Sequence, residues 1–269
     1  MPGFGPADTV QPFTHRNGIP MPYTSFQDIR LLLIQARSAA HMREQELTCF
    51  LERCRLRPDQ IVPVNVLTES IDGLLEGGFD ALMIGGSGEC SATEDYAWMP
   101  DLLHLVREAY ALDLPTFGSC WGHQIIARAL GGQVIHDPER TEMGCLEVHL
   151  RPAARVDPLF GPFPDRLKVN AGHHDRVLTL PREAIELAYS DSQPNQAFRI
   201  AGKPIYGTQF HSELDARRER ERLIEYRPFY TEIATEEAFQ AIMDSLTDTG
   251  EADHLMYDFL RMFVAPHGA

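Results

Sequence analysis

Short apolar runs alternate with amphipathic segments after residue 27, a pattern typical of strands that alternate with helices. Four runs are predicted to be strands, 28–35, 61–67, 79–86 and 114–120, and the first is apolar enough to be buried on both faces. Residues 38–54 and 95–112 carry helix formers between these runs, and a further helix is predicted from Trp121 until a Gly-Gly pair. The alternation predicts a mostly parallel central sheet with helices on both faces.

Two prolines refine this pattern. Pro63 lies inside the second apolar run and places that strand near an edge of the sheet, because proline cannot donate to a strand ladder. Pro100 is expected near the start of its helix, where a missing N–H is tolerated.

The pattern changes in the second half of the chain. Five apolar runs follow one another with short turns and no intervening helix: 145–150, 166–170, 184–190, 196–200 and 204–210. They predict an antiparallel addition to the sheet. Residues 214–269 are predicted to be helical, with 256–264 as an amphipathic closing helix.

The same patterns predict the domain organisation. Residues 1–27 hold five prolines, three glycines and little periodicity, which indicates an extended arm. An α/β domain is expected over 28–214, and residues 215–269 are expected to form a C-terminal helical segment packed on that domain.

Composition excludes some functions. The formal net charge of −15 repels phosphate backbones, so nucleic acid is not expected as a partner. The densest charged run, RRERER at 217–222, alternates in sign and is interpreted as a solvated helix face. No apolar stretch approaches the ~20 residues that span a bilayer, and no signal-peptide pattern opens the sequence. Five scattered cysteines without a CxxC pair suit a reducing compartment, so a cytoplasmic location is expected.

The stretch GSCWGHQ at 118–124 places a cysteine between two glycines at the end of a predicted strand. A strand that turns sharply into a helix leaves no room for side chains two positions before and after the tip, which explains Gly118 and Gly122. Cys120 is then exposed where open α/β sheets bind ligands, and the helix N-terminus favours an anion there. A structural cysteine in a glycine-rich turn is the alternative interpretation.

A cysteine nucleophile requires a base and a group that orients the base. His211 and Glu213 follow a later predicted strand and are spaced so that both point to one face. An oxyanion also requires N–H donors. The Trp121 N–H at the helix start is one candidate, and a backbone N–H among Gly85, Gly86 and Gly88 at the end of the third strand is another.

These motifs together resemble the class I glutamine amidotransferases. The nucleophile motif of that family, G-x-C-x-G-x-Q, is matched at 118–124, and its Q-F-H-P-E motif at 209–213, with Ser212 in place of the proline. Its G-G-x-G oxyanion loop resembles residues 85–88. The resemblance spans about residues 28–214 and implies a flavodoxin-like α/β fold with a C-terminal helical extension.

A fourth motif is similar to one subgroup of this family. GHHDRV at 172–177 resembles the S-H-x-D-x-V segment of GMP-synthetase-type glutaminase domains, with Gly172 in place of serine. The resemblance implies that His173 and Asp175 help to hold the amino-acid end of glutamine, and that Gln124 lines the same pocket.

The resemblance also implies a mechanism without a metal or cofactor. Cys120 attacks the side-chain amide, His211 transfers the proton to the leaving nitrogen, and Glu213 orients His211. The N–H groups of Gly86 and Trp121 hold the oxyanion, and water hydrolyses the γ-glutamyl thioester.

Three functions stay open at this stage. One is a glutaminase whose ammonia passes to a separate synthase chain. Another is a free-standing γ-glutamyl peptidase or hydrolase that acts on γ-glutamyl conjugates. The third is a non-catalytic binding or regulatory protein on the same fold. The helical segment after residue 214 is interpreted as a peripheral helix pair, with a lid over the active site or a contact between protein chains as alternatives.

Overall fold

A computed structural model of the chain describes residues 28–230, 233 and 235–264. The predicted N-terminal arm, 1–27, lies outside the described residues. The strands are β1 Leu31–Gln35, β2 Ile61–Asn65, β3 Ala81–Ile84, β4 Thr116–Ser119, β5 Gln133–His136, β6 Glu142–Leu150, β7 Arg166–His173, β8 Asp175–Thr179, β9 Ala184–Ser190, β10 Ala197–Ile200 and β11 Ile205–Thr208. The helices are α1 Ala40–Cys54, α2 Met99–Ala111, α3 Trp121–Ala129, α4 Ala216–Tyr226, α5 Glu236–Ser245 and α6 Leu255–Phe263.

Nine of the described strands form one sheet in the order β2-β1-β3-β4-β11-β10-β9-β6-β7. The strands from β2 to β11 in this order are parallel. The remaining four extend the sheet in antiparallel pairs. The α/β fold is therefore as predicted, and β2 lies at the edge where Pro63 placed it.

Alternate side chains of the central strands enter two different hydrophobic cores, as strand geometry requires. Leu31 and Leu33 pack into the core that includes residues of α1 and α6. Leu32 and Ile34 pack into the core that includes residues of α2 and α3. Helices thus cover both faces of the sheet. None of the helices in the described ranges is both long and apolar enough to cross a bilayer.

Three details differ from the sequence expectations. The run 204–210 contains β11, which pairs antiparallel with β10 but parallel with β4, so it joins the two halves of the sheet. Strands β5 and β8 were not predicted, and they pair with each other in a separate antiparallel ribbon. Helix α2 begins at Met99 rather than at 95, with Pro100 in its first turn.

Candidate active site

Three neighbouring parallel strands end at one place. Gly86 follows β3, Cys120 follows β4, and His211 follows β11. The carboxyl ends of parallel strands share one edge of the sheet, so residues far apart in sequence meet there. A Cβ atom built on Gly86 would lie 3.0 Å from Cε1 of His211 and 3.7 Å from Cβ of Cys120.

Cys120 occupies a strained turn between β4 and α3. Its backbone has φ 51° and ψ −102°, which L-residues rarely adopt. A Cβ on Gly118 would lie 2.5 Å from the backbone of Gly122, and a Cβ on Gly122 would lie 2.2 Å from the carbonyl oxygen of Ile84. Both glycines are therefore required by close backbone approach, as the sequence pattern predicts.

His211 and Glu213 meet just beyond the end of β11. The Nδ1 atom of His211 lies 2.7 Å from Oε1 of Glu213, and both side chains are buried. The backbone N–H of His211 donates to the carbonyl of Asn170 on β7, which holds the His211 backbone against the antiparallel part of the sheet. The i, i+2 spacing therefore brings the two side chains together, although neither lies within a strand.

Burial and charge act in opposite directions on this pair. Burial disfavours the charged imidazole, but Glu213 and the hydrogen-bonded Cys120 thiol outweigh it and raise the pKa of His211 well above its usual value of 6.5. Burial also opposes ionisation of Glu213, but His211, then Arg222 and Ser119, hold the pKa of that carboxyl far below its usual range. The arrangement favours an imidazolium and a carboxylate beside the Cys120 thiol.

Two groups that hold Glu213 are absent from the sequence predictions. The hydroxyl of Ser119 donates to Oε2 of Glu213 at 2.7 Å, and Nη1 of Arg222 donates to Oε1 at 3.3 Å. Ser119 lies next to the thiol, inside the motif at 118–124. Arg222 lies on α4, and only the charged run 217–222 signalled it.

The interpretation of that charged run as a solvated face is wrong. Three residues of the run are buried, namely Arg218, Glu219 and Arg222. Each residue is at most 9% exposed, and the Arg218 side chain taken alone is 11% exposed. Two of these side chains point inward to partners on other elements, Arg218 to Glu52 on α1 and Arg222 to Glu213 in the loop before α4. The segment after residue 214 is thus not wholly peripheral, since α4 contacts Glu213 directly.

The two backbone amides that were expected to hold an oxyanion lie close to Cys120. Trp121 is the first residue of α3, so its N–H is one of the amides that a helix leaves unpaired at its start. Within the described residues, no hydrogen bond occupies the backbone N–H of Trp121 or Gly86. Gly122 N–H donates to the carbonyl of Gly85, which ties the loop after β3 to the start of α3.

A cavity of about 250 Å³ opens above the thiol. Cys120, Trp121, Gln124, His173 and Asp175 all line it, so the structure brings the expected substrate-binding residues to the expected nucleophile. Gln124 Nε2 donates to the carbonyl of Asp175 at 2.7 Å. His173 is held between the Asp175 carbonyl and the Glu142 carboxylate, at 3.0 and 3.2 Å from its two ring nitrogens.

The outer part of the cavity has aromatic and imidazole walls. Tyr96, His136, His174, Phe229 and Tyr230 line it. The last two follow α4, so the C-terminal segment contributes to the cavity.

One group of potential metal ligands lies at this outer end. The donor atoms of His136, His174 and Asp175 lie within 4.8 Å of one another, which holds for no other group of three among the described residues. Both carboxylate oxygens of Asp175 already have partners. Oδ2 accepts hydrogen bonds from the Ser91 hydroxyl and the Ala92 N–H, and Oδ1 lies beside Nδ1 of His136. An ion would have to displace the His136 contact.

Two further residues near the nucleophile have structural environments. His123 is buried against Phe198, with 4.7 Å between ring centroids, and burial lowers its pKa to about 3. Its imidazole is therefore neutral at physiological pH. Cys90 lines the cavity, and its backbone N–H donates to the Ser87 hydroxyl.

Comparison with known proteins agrees with the geometry. The family model for glutamine amidotransferase class-I matches residues 53–228. One subunit of the glutamine-hydrolysing GMP synthase of Methanothermobacter thermautotrophicus is 31% identical over 174 residues, which cover 62% of this chain and 82% of that protein. The corresponding subunit of Methanosarcina barkeri is 37% identical over 157 residues, covering 58% and 76%.

Longer relatives match over a smaller share of their length. A glutamine-hydrolysing GMP synthase of Nitratiruptor is 34% identical over 127 residues, which are 47% of this chain but only 24% of that protein. Among solved structures, a glutamine amidotransferase from Thermotoga maritima superposes with a TM-score of 0.68 at 23% identity, covering 86% of this chain and 96% of its own. A second glutamine amidotransferase, from Methylobacillus flagellatus, superposes with a TM-score of 0.67 at 22% identity, covering 89% of this chain and 97% of its own. These two show the same fold.

Proposed function

Because the chain belongs to the class I glutamine amidotransferase family, we propose that it hydrolyses glutamine to glutamate and ammonia through a thioester on Cys120. The observation that carries the proposal is that Cys120, which lines the cavity, and the buried His211–Glu213 pair both lie close to Gly86 at the ends of neighbouring strands. The glutamine-hydrolysing relatives support the choice of substrate.

The proposed reaction begins with attack of the Cys120 thiolate on the side-chain amide carbon. A bond forms between sulfur and carbon, and the carbonyl electrons move to oxygen, which the N–H groups of Gly86 and Trp121 stabilise. The His211 imidazolium, oriented by Glu213, gives its proton to the amide nitrogen. The carbon–nitrogen bond breaks and ammonia leaves.

The second half of the reaction regenerates the thiol. Water attacks the γ-glutamyl thioester, and neutral His211 accepts a proton from that water. The carbon–sulfur bond breaks, and sulfur leaves as the thiolate beside the imidazolium, so the resting ion pair is restored with glutamate as product. Gln124, His173 and Asp175 are proposed to bind the amino-acid end of the substrate, since they share the cavity with Cys120.

The proposal is tested by glutamate release from glutamine, with Cys120→Ser as the inactive variant. Cys145→Ser is the matched control, because Cys145 is a half-buried cysteine on β6, a strand at the opposite part of the sheet. We expect loss of activity in the first variant only. Activity that survives Cys120→Ser would contradict the mechanism, and a wild-type protein that neither turns over nor acquires a covalent label from a glutamine-like electrophile would indicate a binding protein.

Hydrolysis of larger γ-glutamyl conjugates is a second candidate. The cavity continues past the thiol to the aromatic wall, where Phe229 is 47% exposed, and this supports room for a leaving group larger than ammonia. Assays of glutamine beside a panel of γ-glutamyl amides separate the two candidates by kcat/KM.

A separate synthase chain that takes up the ammonia is a further part of the proposal. The relatives named as GMP synthase subunits support it. Turnover that rises only after addition of a co-purifying protein would favour a role within a larger synthase, and full turnover by the purified chain would favour a free-standing hydrolase.

A further inference from the structure

We propose that Arg222 is a positioning residue of this active site, which holds Glu213 in place and joins it to Glu46 beneath the loop after β3. The inference rests on the roles proposed above for Cys120, His211 and Glu213.

The Arg222 side chain is almost completely buried and binds in two directions. Its Nη1 atom donates to Oε1 of Glu213 at 3.3 Å, the same oxygen that faces Nδ1 of His211. Its Nε atom donates to Oε1 of Gln45 on α1 at 3.0 Å. A guanidinium holds several acceptors in one plane, so these contacts fix the carboxylate as well as neutralise it.

Glu46 continues the contacts beneath the oxyanion loop. Its Oε1 atom lies 3.8 Å from Nη2 of Arg222 and 2.8 Å from Nη2 of Arg37. A Cβ on Gly85 would lie 2.5 Å from the same oxygen, so the carboxylate is packed directly against the loop. The Arg37 guanidinium also binds the Tyr226 hydroxyl at 2.7 Å. One buried path therefore links the imidazole to the loop that carries Gly86.

Charges alternate in sign along this path. The His211 imidazolium and the Glu213 carboxylate are followed by Arg222, Glu46 and Arg37. Each buried charge has a neighbour of opposite sign, which a low-dielectric interior requires. Removal of Arg222 would leave two buried carboxylates with one guanidinium fewer to neutralise them.

Other ionisable groups also face the imidazole. They are Cys120 from the turn before α3, Glu213 from the loop before α4, and Glu219 from α4 itself. Tyr230, which follows α4, is buried beside Glu219 and Cys120. Glu219 thus adds a further negative charge that acts on the imidazole.

The sign of the effect follows from these positions. Arg222→Met removes a positive charge, and the more negative environment favours the protonated forms of Cys120 and His211. Glu46→Gln removes a negative charge from the same path and acts in the opposite direction. Arg222→Lys keeps the charge without the planar guanidinium, so it is expected to recover only part of the wild-type behaviour.

The experiment measures alkylation of Cys120 by iodoacetamide as a function of pH, read by mass spectrometry of the Cys120 peptide. The midpoint of the rate is expected to rise by about one pH unit in Arg222→Met and to fall by a smaller amount in Glu46→Gln. Arg222→Lys is expected to give a midpoint between those of the wild type and Arg222→Met. The matched control is Arg217→Gln, since Arg217 lies on the same helix, is 64% exposed and pairs only with Glu221 in the described structure.

An alkylation midpoint that is unchanged in Arg222→Met, or that shifts in the same direction as in Glu46→Gln, would overturn the proposal. Opposite shifts in the two variants distinguish an electrostatic effect from general damage to the fold, because such damage does not depend on the sign of the charge that is removed. If circular dichroism shows that Arg222→Met does not fold, the test rests on Glu46→Gln alone. An alkylation midpoint that does not fall in Glu46→Gln then overturns the proposal. Alkylation needs no substrate, so a wild-type protein that fails to hydrolyse glutamine would contradict the proposed function and leave this test valid.

Discussion

The hydroxyl of Ser119 donates a hydrogen bond of 2.7 Å to Oε2 of Glu213, so the residue directly before the thiol holds the carboxylate that lies behind the imidazole. Both groups are completely buried. The bond joins the strand that leads to Cys120 to the carboxylate that faces the His211 imidazole.

Ser119→Ala is expected to lower kcat for glutamine about ten-fold, since a hydrogen bond to a buried charged group contributes about 1.5–3 kcal/mol. KM is expected to change little, because the lost contact is behind the imidazole. Steady-state kinetics check this, with Ser70→Ala as a control at an exposed serine. An equal rise in KM with kcat unchanged would contradict the positioning role.

Glu213→Gln is expected to move the basic limb of the kcat/KM profile to lower pH. Burial alone lowers the pKa of His211, and the carboxylate charge is the main group that raises it, so its loss lets the imidazolium deprotonate earlier. The leaving nitrogen then lacks its acid at lower pH, and we expect a loss of about 100-fold or more in kcat. Glu225→Gln is the matched control, because Glu225 pairs with the exposed His41. A basic limb that stays in place would show that His211 does not depend on this carboxylate.

Glu213→Gln should also change stability with pH. The low pKa of Glu213 means that its carboxylate contributes stability above the usual value of 4.5 and loses it as pH falls below that value. The difference in unfolding free energy between wild type and variant is therefore expected to be larger at pH 6 than in strong acid. Denaturant titrations at a series of pH values measure this difference.

Gly122→Ala is expected to destabilise the fold by at least about 2 kcal/mol, because its methyl group would lie 2.2 Å from the Ile84 carbonyl oxygen. Gly250→Ala is the matched control, since nothing lies within 4 Å of a Cβ at that position. Its effect should stay within about 0.5 kcal/mol. Similar losses in the two variants, measured by urea unfolding, would contradict the steric explanation of the motif.

Asp175→Asn is expected to raise KM for glutamine about ten-fold with a smaller change in kcat, because a carboxylate that binds the substrate ammonium contributes mainly to binding. Its position is already fixed by Ser91 and Ala92, so the isosteric amide should keep the local structure. Asp72→Asn, at an exposed aspartate, is the control. A fall in kcat at constant KM would place Asp175 in the chemical step instead.

Phe229→Ala tests the outer wall of the cavity. Removal of this half-exposed ring is expected to change kcat/KM for bulky γ-glutamyl amides several-fold while that for glutamine stays within about two-fold, since glutamine has no large leaving group to reach it. Equal effects on both substrates would argue against a conjugate-binding role for this wall.

The sequence alone determined the parts of this protein that depend on local constraint. Apolar periodicity identified the parallel strands and their helices, because burial on one or both faces leaves a short-range pattern. The two glycines around Cys120 were predictable for the same reason, since the clash they avoid involves atoms only a few residues away or on the adjacent strand. The separation of two positions between His211 and Glu213 was likewise enough to indicate a pair.

Only the tertiary structure decided which charges are buried together. RRERER carries no signal for which of its side chains point inward, because the answer depends on partners on other elements, such as Gln45, which is 177 positions from Arg222. The β5–β8 ribbon escaped prediction because both strands are short and one lies partly within the 172–177 motif. The aromatic wall from Phe229 and Tyr230 depended on where α4 directs the following chain. Long-range pairing of this kind is set by the packing of whole elements, and no local pattern of residues records it.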